Sequence, residues 1–521
     1  MSKVATSVRS PAWILVVLCV CVLVINMDAM IVNVALPSLV DQLHATTRDL
    51  QWVVDAYSLA FAALVIAAGS LSDRFGRREA LVFGLGLFTV SSGLGAFSGS
   101  TFELILARAV MGIGSAFIYP ATLSILTTVF VERKARATAI GIWGAVSGLG
   151  IVLGPLVGGV LLQQFWWGSI LLVMAPIGLV ALVLTALVVP TSRNPETPAL
   201  DKSGLVLSCL AVGALVYTII EAPRLGWASS ATVIGFVVTA VFFAALVVRE
   251  LKARTPMVDL ALFRDTRFSA ACGSMTVAFF TLYGLIFLIT QYMQFLKLYS
   301  PMQTGLRFIP VAVGMVIGST LGGRLAVRWG SRVVVTGGLA ILTVVYAWFT
   351  VETGDTSYLV LAPQLVLIGL GLGVVGVPAT DAIMRVVPPA KASVGSALND
   401  ATRLFGGTLG IAIVGSLFQS LYANGLATSM SSALLPGSLA KAQDSMGNSL
   451  SEAAQYIHSG QSGVAQSLIQ NARSSFLDGF HASCWTIAAI SAVMVVAAWF
   501  WLPAEKPEPA ATEPEQSVAS A

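Results

Sequence analysis

Charge is what this sequence has least of. Only 10% of its 521 residues are Asp, Glu, Lys or Arg, against about 25% in a typical soluble domain, and so few charges cannot clothe a water-facing surface. There are three histidines and five cysteines. Cys19, Cys21, Cys209, Cys272 and Cys484 all fall in apolar segments without metal-ligand spacing, and they read as packing residues. His44, His458 and His481 form no ligand constellation. The shortages exclude whole classes of protein. There is no His-Glu-x-x-His, no Cys/His ligand set and no Ser/His/Asp cluster at one depth, so an enzyme working inside a membrane lacks its constellation. The absence of a Gly-x-x-x-x-Gly-Lys-Ser/Thr loop excludes a single-chain primary pump. A net charge of +4, spread over short loops, makes no continuous basic face, which rules out nucleic acid as a partner.

Apolar length is what the sequence has in abundance. It is 56% hydrophobic, with a mean hydropathy of +0.86. A helix needs about 20 apolar residues to cross a ~30 Å hydrocarbon core. Fourteen such runs can be read, at about 12–36, 50–70, 80–99, 102–122, 135–162, 168–189, 203–221, 228–249, 268–296, 305–326, 333–351, 357–380, 391–421 and 479–502. The first follows Lys3 and Arg9 but has no small-residue cleavage site and leads into a second run, so it reads as a retained helix. With a cytoplasmic N-terminus, the inside loops hold Arg74, Arg77, Arg78, Arg133, Lys134, Arg136 and twelve further cations through to Lys391. The outside loops hold only Arg48, Arg224, Lys297, Arg307, Lys441 and Arg473. Both termini are therefore expected inside. Between the runs lie a Pro-rich linker at 190–202, a cytoplasmic loop at 250–267 and a long outside loop at about 422–478, followed by a Pro/Glu-rich, disordered tail at 503–521.

One loop recurs. After the second run the chain reads Gly69-Ser-Leu71-Ser-Asp73-Arg74-Phe-Gly76-Arg77-Arg78, and after the tenth it reads Gly323-Arg-Leu325-Ala-Val327-Arg328-Trp-Gly330-Ser-Arg332. Gly, Leu, Arg, Gly and Arg repeat at one spacing, offset by 254 residues, which is close to the offset between the first and ninth runs. The seventh and eighth runs have no place in this repeat. The chain thus divides into a six-helix bundle at 1–189, two inserted helices at 203–249 and a second six-helix bundle at 268–502. Asp73 in the first copy is Val327 in the second. An acid among arginines suits a charge-assisted latch that forms in one conformation and breaks in another, or else it is a solvated residue of a topogenic loop.

These residues resemble the major facilitator superfamily and, within it, the fourteen-helix drug:proton antiporters. The Gly-x-Leu-x-Asp-Arg-x-Gly-Arg-Arg motif is complete at 69–78. Met27-Asp28-Ala-Met-Ile-Val-Asn33-Val-Ala-Leu-Pro37 is similar to the signature of the fourteen-helix group, and Arg108-Ala-Val-Met-Gly112-Ile-Gly114 to the family's membrane-embedded Arg motif. Gly144, Gly148, Gly150, Gly154-Pro155 and Gly158-Gly159 look like the motif that marks exporters. The resemblance implies an all-α major facilitator fold of fourteen membrane helices arranged 6+2+6, driven by the proton gradient without a cofactor. It implies a multi-pass protein of the bacterial cytoplasmic membrane, acting on small lipophilic substrates among membrane lipids. In a two-membrane bacterium a periplasmic adaptor and an outer-membrane channel would be its partners. Independently of the resemblance, Gly150, Gly154 and Gly158 stand four apart and line one helix face for close approach, with Pro155 favouring a kink.

Ionisable residues inside a membrane are functional candidates. Asp28 lies about nine residues before Pro37, hence ~13 Å below the outer end. Asp55 and Arg108 lie a turn or two inside their runs, and Asp400 and Arg403 lie near mid-depth, three residues apart on one face. A carboxylate in a low-dielectric cavity can exchange protons and neutralise a cation at the same place, and that competition is what an antiporter requires. Asp28 is expected to be the main proton and cation site and Asp55 auxiliary. Arg108 would tune the acids or bond to helix ends, and Asp400 and Arg403 either line the cavity or pair with each other. Asp381 and Glu221, near run ends, read as interfacial. Trp143, Phe279, Phe280, Tyr283, Phe287 and Tyr292 either line a drug pocket or pack. The expected function is proton-coupled export of lipophilic, cationic drugs. The same cavity would serve a dedicated exporter of an endogenous metabolite, antibiotic or lipid. An antiporter-like subunit of a respiratory complex would need a buried Lys in mid-helix, and every Lys here falls in a loop or tail.

Overall fold

A computed structural model describes residues 10–130, 132–193, 201–253, 260–386 and 392–502. Most of the 190–202 linker, the middle of the 250–267 loop and the 503–521 tail lie outside the described residues.

Among the described residues the protein is helical throughout, with no strand. The first half holds α1 (Pro11–Leu43), α2 (Thr47–Phe75), α3 (Arg77–Gly95), α4 (Thr101–Val129), α5 (Arg133–Gln164), α6 (Ser169–Leu172) and α7 (Met174–Val188). The inserted pair is α8 (Lys202–Leu225) and α9 (Ser230–Lys252). The second half holds α10 (Thr266–Gln291), extended by a π-helical turn over Tyr292–Leu296, then α11 (Pro301–Arg307), α12 (Ile309–Trp329), α13 (Ser331–Phe349) and α14 (Tyr358–Val386). It ends with α15 (Ala392–Met430), the short α16 (Pro436–Asp444) and α17 (Met446–His458), and α18 (Ser462–Trp501). The long loop expected at 422–478 is therefore mostly helix. α16 and α17 form a hairpin, while the chain from 422 extends α15 and that from 462 begins α18.

Eleven of these helices are long and apolar enough to cross a membrane, or twelve if the bent α2 is counted as one span. That is fewer than the fourteen runs read from the sequence. One shortfall is α3, which opens on Arg77, Arg78 and Glu79 and carries Gly and Ser along its length. Local signals set the ends. Thr46 caps α2 in a reciprocal box with Asp49, and Ser100 caps α4 by accepting from the Glu103 amide. The two copies of the repeated loop turn on Gly76 and Gly330, at φ 128° and 85°, values that glycine adopts without a Cβ clash.

Packing repeats as the loops do. α1 packs on α5 and α7, α2 on α4, and α3 on α4 and α7. In the second half α10 packs on α15 and α18, α12 on α14, and α13 on α14 and α18. The same correspondence pairs the contacts between halves, α2 with α15 and α5 with α11. The hydrogen bonds that join the halves among the described residues sit at the end where α1 turns into α2. Gln294 of the π-turn donates to the Val34 carbonyl at 2.9 Å, Thr47 Oγ1 donates to the Asp444 carbonyl at 2.8 Å, and Gln51 reaches α15. At the opposite end the hydrogen bonds of the described loop residues stay within one half. Residues such as Val90, Leu94, Val233, Val241, Val316 and Val493 leave an apolar exterior, the surface of a protein solvated by lipid.

Candidate transport site

Asp28 and Arg108 are brought together. Both are fully buried, and Arg108 Nη1 donates to Asp28 Oδ2 at 2.6 Å between α4 and α1. Arg108 Nε donates to the Val53 carbonyl at 3.2 Å, and its guanidinium lies 4.3 Å from the centre of the Tyr57 ring. Tyr57 in turn donates to Ser115 Oγ at 2.9 Å. One carboxylate oxygen, Asp28 Oδ1, and one guanidinium nitrogen, Arg108 Nη2, have no partner among the described residues. A buried ion pair is stable only when its remaining lone pairs and protons are answered, so this pair is incompletely satisfied at one corner.

Asp55 stands apart from that pair. It is fully buried on α2, and neither carboxylate oxygen has a partner among the described residues. It lies one turn deeper than Gln51, whose side chain binds α15, and thus on the helix face turned toward the seam between the halves.

Asp400 and Arg403 do not form an ion pair with each other. Arg403 Nη2 donates to Thr380 Oγ1 on α14 at 3.1 Å, its guanidinium lies 5.3 Å from the Phe279 ring centre, and its Nε has no partner. Tyr119 of α4 lies within electrostatic reach of both Asp400 and Arg403. Aromatic rings bridge the two clusters: Tyr57 to Phe61 at 6.1 Å, Phe61 to Tyr119 at 5.9 Å, and Tyr119 to Trp143 at 5.2 Å. Phe279 and Tyr283, at 6.4 Å, stand on the Arg403 side. Of the aromatics singled out in the sequence, Trp143, Phe279 and Tyr283 belong to this wall, while Phe280, Phe287 and Tyr292 are buried in the core of the second half. Tyr57, Phe61 and Tyr119 were not singled out. The i, i+4 spacing of Tyr57 and Phe61 was the available signal.

The glycine helix has two working faces. A methyl group at Gly150, Gly154 or Gly158 would press on α1 around Leu23, Met27 and Ile31, so this stripe seats the helix that carries Asp28. The other face meets the second half: one at Gly159 would stand 2.6 Å from the Pro301 carbonyl oxygen, and Pro155 abuts Gly305. Gly144 faces open space, and the surroundings of Gly148 lie outside the described residues.

In the 69–78 loop, Asp73 Oδ1 accepts from Arg77 Nε at 2.7 Å and from Ser124 Oγ at 3.2 Å. Arg77 also bonds to Thr128, and Arg78 bonds to the Ala186 carbonyl and to Thr191. Arg74 lies over Phe75 at 5.8 Å, and Gly69 meets Pro120 of α4 without crowding. All these partners lie in the first half. In the second copy Arg332 Nε donates to the Leu502 carbonyl at 2.6 Å, joining α13 to the end of α18. Gly323 stands in ordinary contact with Val377, and Arg328 closes α12 just before Gly330. One reading from the sequence is corrected. Asp381 is half-exposed and bonded to Arg385, as an interfacial acid would be, but Glu221 is fully buried.

Two clusters, each holding an aspartate and an arginine, are joined by an aromatic wall and lie between two similarly packed helical halves, an arrangement of the kind found in membrane transporters. Comparison with known proteins gives the family. The model of the Major Facilitator Superfamily matches residues 18–411, and the chain belongs to that superfamily. It is 38% identical over 396 residues to the multidrug resistance protein Stp of Mycobacterium tuberculosis, covering 76% of this chain and 74% of that one. It is 33% identical over 496 residues to the multidrug efflux pump LfrA of Mycolicibacterium smegmatis, covering 95% and 96%. Among solved structures, an inward-facing bacterial homologue of the human lysosomal transporter Spinster superposes with a TM-score of 0.63 at 18% identity, covering 95% of this chain and 98% of that one.

Proposed function

We propose that this protein is a proton-coupled antiporter that exports lipophilic, cationic compounds across a bacterial cytoplasmic membrane by alternating access. Its fourteen membrane spans are arranged six, two and six, with both termini in the cytoplasm. The closed end of the seam is then the outer one, and the state described faces inward. The relatives support this reading, since their names are those of multidrug resistance and efflux proteins.

The observation that carries the mechanism is the buried Asp28–Arg108 pair with its unanswered Oδ1. An ionised carboxylate in a dry interior needs a cation beside it. Arg108 is that cation in the resting site, a proton removes the need for it, and a cationic substrate can replace it. Proton, arginine and substrate thus compete for one carboxylate, and a site that serves them in turn exchanges one for another. Asp55, on the seam, is the auxiliary proton site. The wall from Tyr57 to Trp143 supplies π faces for a flat cation. Asp73, Arg77 and Arg78 form the inner latch, freed or held as the halves rock. Protons and small lipophilic molecules are the partners, with an adaptor joining only in a two-membrane cell.

A second reading has its own observation. Arg403 offers an unpartnered Nε and no bond to Asp400, which suits a neutral or acidic aromatic ligand such as an antibiotic or metabolite made by the cell itself. The experiment follows proton release from everted membrane vesicles acidified by respiration, with ethidium added, in the parent and in Asp28→Asn. Ethidium-triggered loss of the pH gradient, absent in Asp28→Asn at equal expression, is the expected result. No response to any of several lipophilic cations would overturn the cationic reading and leave the second.

A further inference from the structure

The inserted pair has no counterpart in the repeat, yet α8 sits at the outer junction of the two halves. There three helices close a circuit. Gln51 of α2 donates to Ser416 Oγ and to the Ile411 and Ala412 carbonyls of α15, at 3.2, 3.3 and 3.2 Å. Ser416 donates to the Ile219 carbonyl of α8 at 2.8 Å, and Trp227, just beyond α8, donates to Ser420 Oγ at 2.9 Å. Glu221 of α8 completes the circuit by binding Arg48 Nε, one turn before Gln51 on α2. Glu221 has a second cation, Arg224, at 3.2 Å.

α2 and α15 belong to opposite halves, so opening the outer end must break the Gln51 link and one of the two links that α8 makes. The costs of breaking those two links differ. Releasing Ser416 from Ile219 would strand a buried hydroxyl and a buried carbonyl. Releasing Arg48 strands nothing, because its side chain is 43% exposed and gains water, while Glu221, buried to 1%, keeps Arg224. The link to α2 is therefore the one built to part.

We propose that Glu221 is a positioning residue for transport: it latches the inserted pair to α2 and so holds the outer α2–α15 seam shut, handing its charge to Arg224 when the seam opens. On this account α8 and α9 travel with the second half. The inference rests on the alternating-access reading above, but not on what is transported.

The test is a distance distribution by pulsed electron resonance, without substrate or gradient, between spin labels at Gly99→Cys and Asp355→Cys in a Cys209→Ala background. The labels report the outer ends of the two halves. Glu221→Gln and Arg48→Gln should each raise the ratio of separated to closed outer ends, by roughly fivefold for a link of ordinary ion-pair strength. Arg224→Ala should move the ratio the other way, because Glu221 then has only Arg48. The exchange Arg48→Glu with Glu221→Arg, made together with Arg224→Glu so that the alternative partner keeps the opposite charge, should bring the distribution back toward that of the parent. Arg48→Gln removes an exposed side chain and serves if Glu221→Gln does not fold. An unchanged distribution in Arg48→Gln, or opening in Arg224→Ala equal to that in Glu221→Gln, would overturn the latch. Failure of ethidium export in vesicles would overturn the cationic substrate and leave these distances as they stand.

Discussion

Replacing Gly154 by alanine puts one methyl group into the contact between α5 and α1. It would stand 2.6 Å from the Met27 carbonyl oxygen, 2.9 Å from Met30 Cβ and 3.0 Å from the Ile31 amide nitrogen. Two of these are backbone atoms of a helix and cannot turn aside as a side-chain tip would. Restoring an ordinary contact of 3.4 Å to the carbonyl asks the helices to part by about 0.8 Å, in an interior packed as closely as an organic crystal. Overpacking of this kind costs about 1–3 kcal/mol. The shift falls on the residue beside Asp28, whose bond to Arg108 is 2.6 Å long, so transport should suffer along with stability. Gly144 supplies the control on the same helix. Nothing lies within 4 Å of a methyl group there, and alanine favours a helix over glycine by about 1 kcal/mol. In thermal unfolding of the purified protein, Gly154→Ala should unfold several degrees below the parent and Gly144→Ala at or above it. Equal unfolding temperatures for the two variants would refute the claim that the stripe is a steric fit to α1.

Two further outcomes are expected. Arg108→Ala leaves the Asp28 carboxylate buried without its cation and should destabilise the protein by about 3–5 kcal/mol, whereas Arg108→Ala with Asp28→Asn together should cost less than the sum, as a double-mutant cycle of unfolding would record. Asp444, at the end of α16, is pushed above the ordinary carboxylate range by burial first and by the nearby Asp49 second. A raised acid binds its proton more tightly folded than unfolded, so its contribution is present at low pH and is lost as pH rises through the folded value. Amide protection in 436–458, taken relative to the intrinsic exchange rate at each pH, should therefore rise as the pH is lowered, and Asp444→Asn should abolish that rise.

The helical class, the repeated loop and the glycine face were legible in the sequence because each is a local pattern: apolar length, fixed spacing, a period of four. What joins them was not. Asp28 and Arg108 are 80 positions apart, and periodicity tells which residues share a face without telling which helix meets it. Asp400 and Arg403 illustrate the same limit. Spacing puts them on one side of α15, but Thr380 and Phe279, from two other helices, take the guanidinium instead. Glu221 was misread because position near a run's end implies water only when no second helix covers that end, and α2 covers this one. The span count differed for a related reason: α3 is charged at its start and lined with small residues, so its place beside α4 and α7 is a matter of packing rather than of hydropathy.

The two helices of the inserted pair live under different rules. α8 is held by named partners at its outer end, but only Thr232, Thr239 and Glu250 of α9 are buried. Most of α9 touches solvent hydrocarbon rather than protein, so its sequence is specified by oiliness and length instead of shape. Valine, isoleucine or leucine serve almost interchangeably along it, and the record of natural variation in this helix should drift freely within that alphabet.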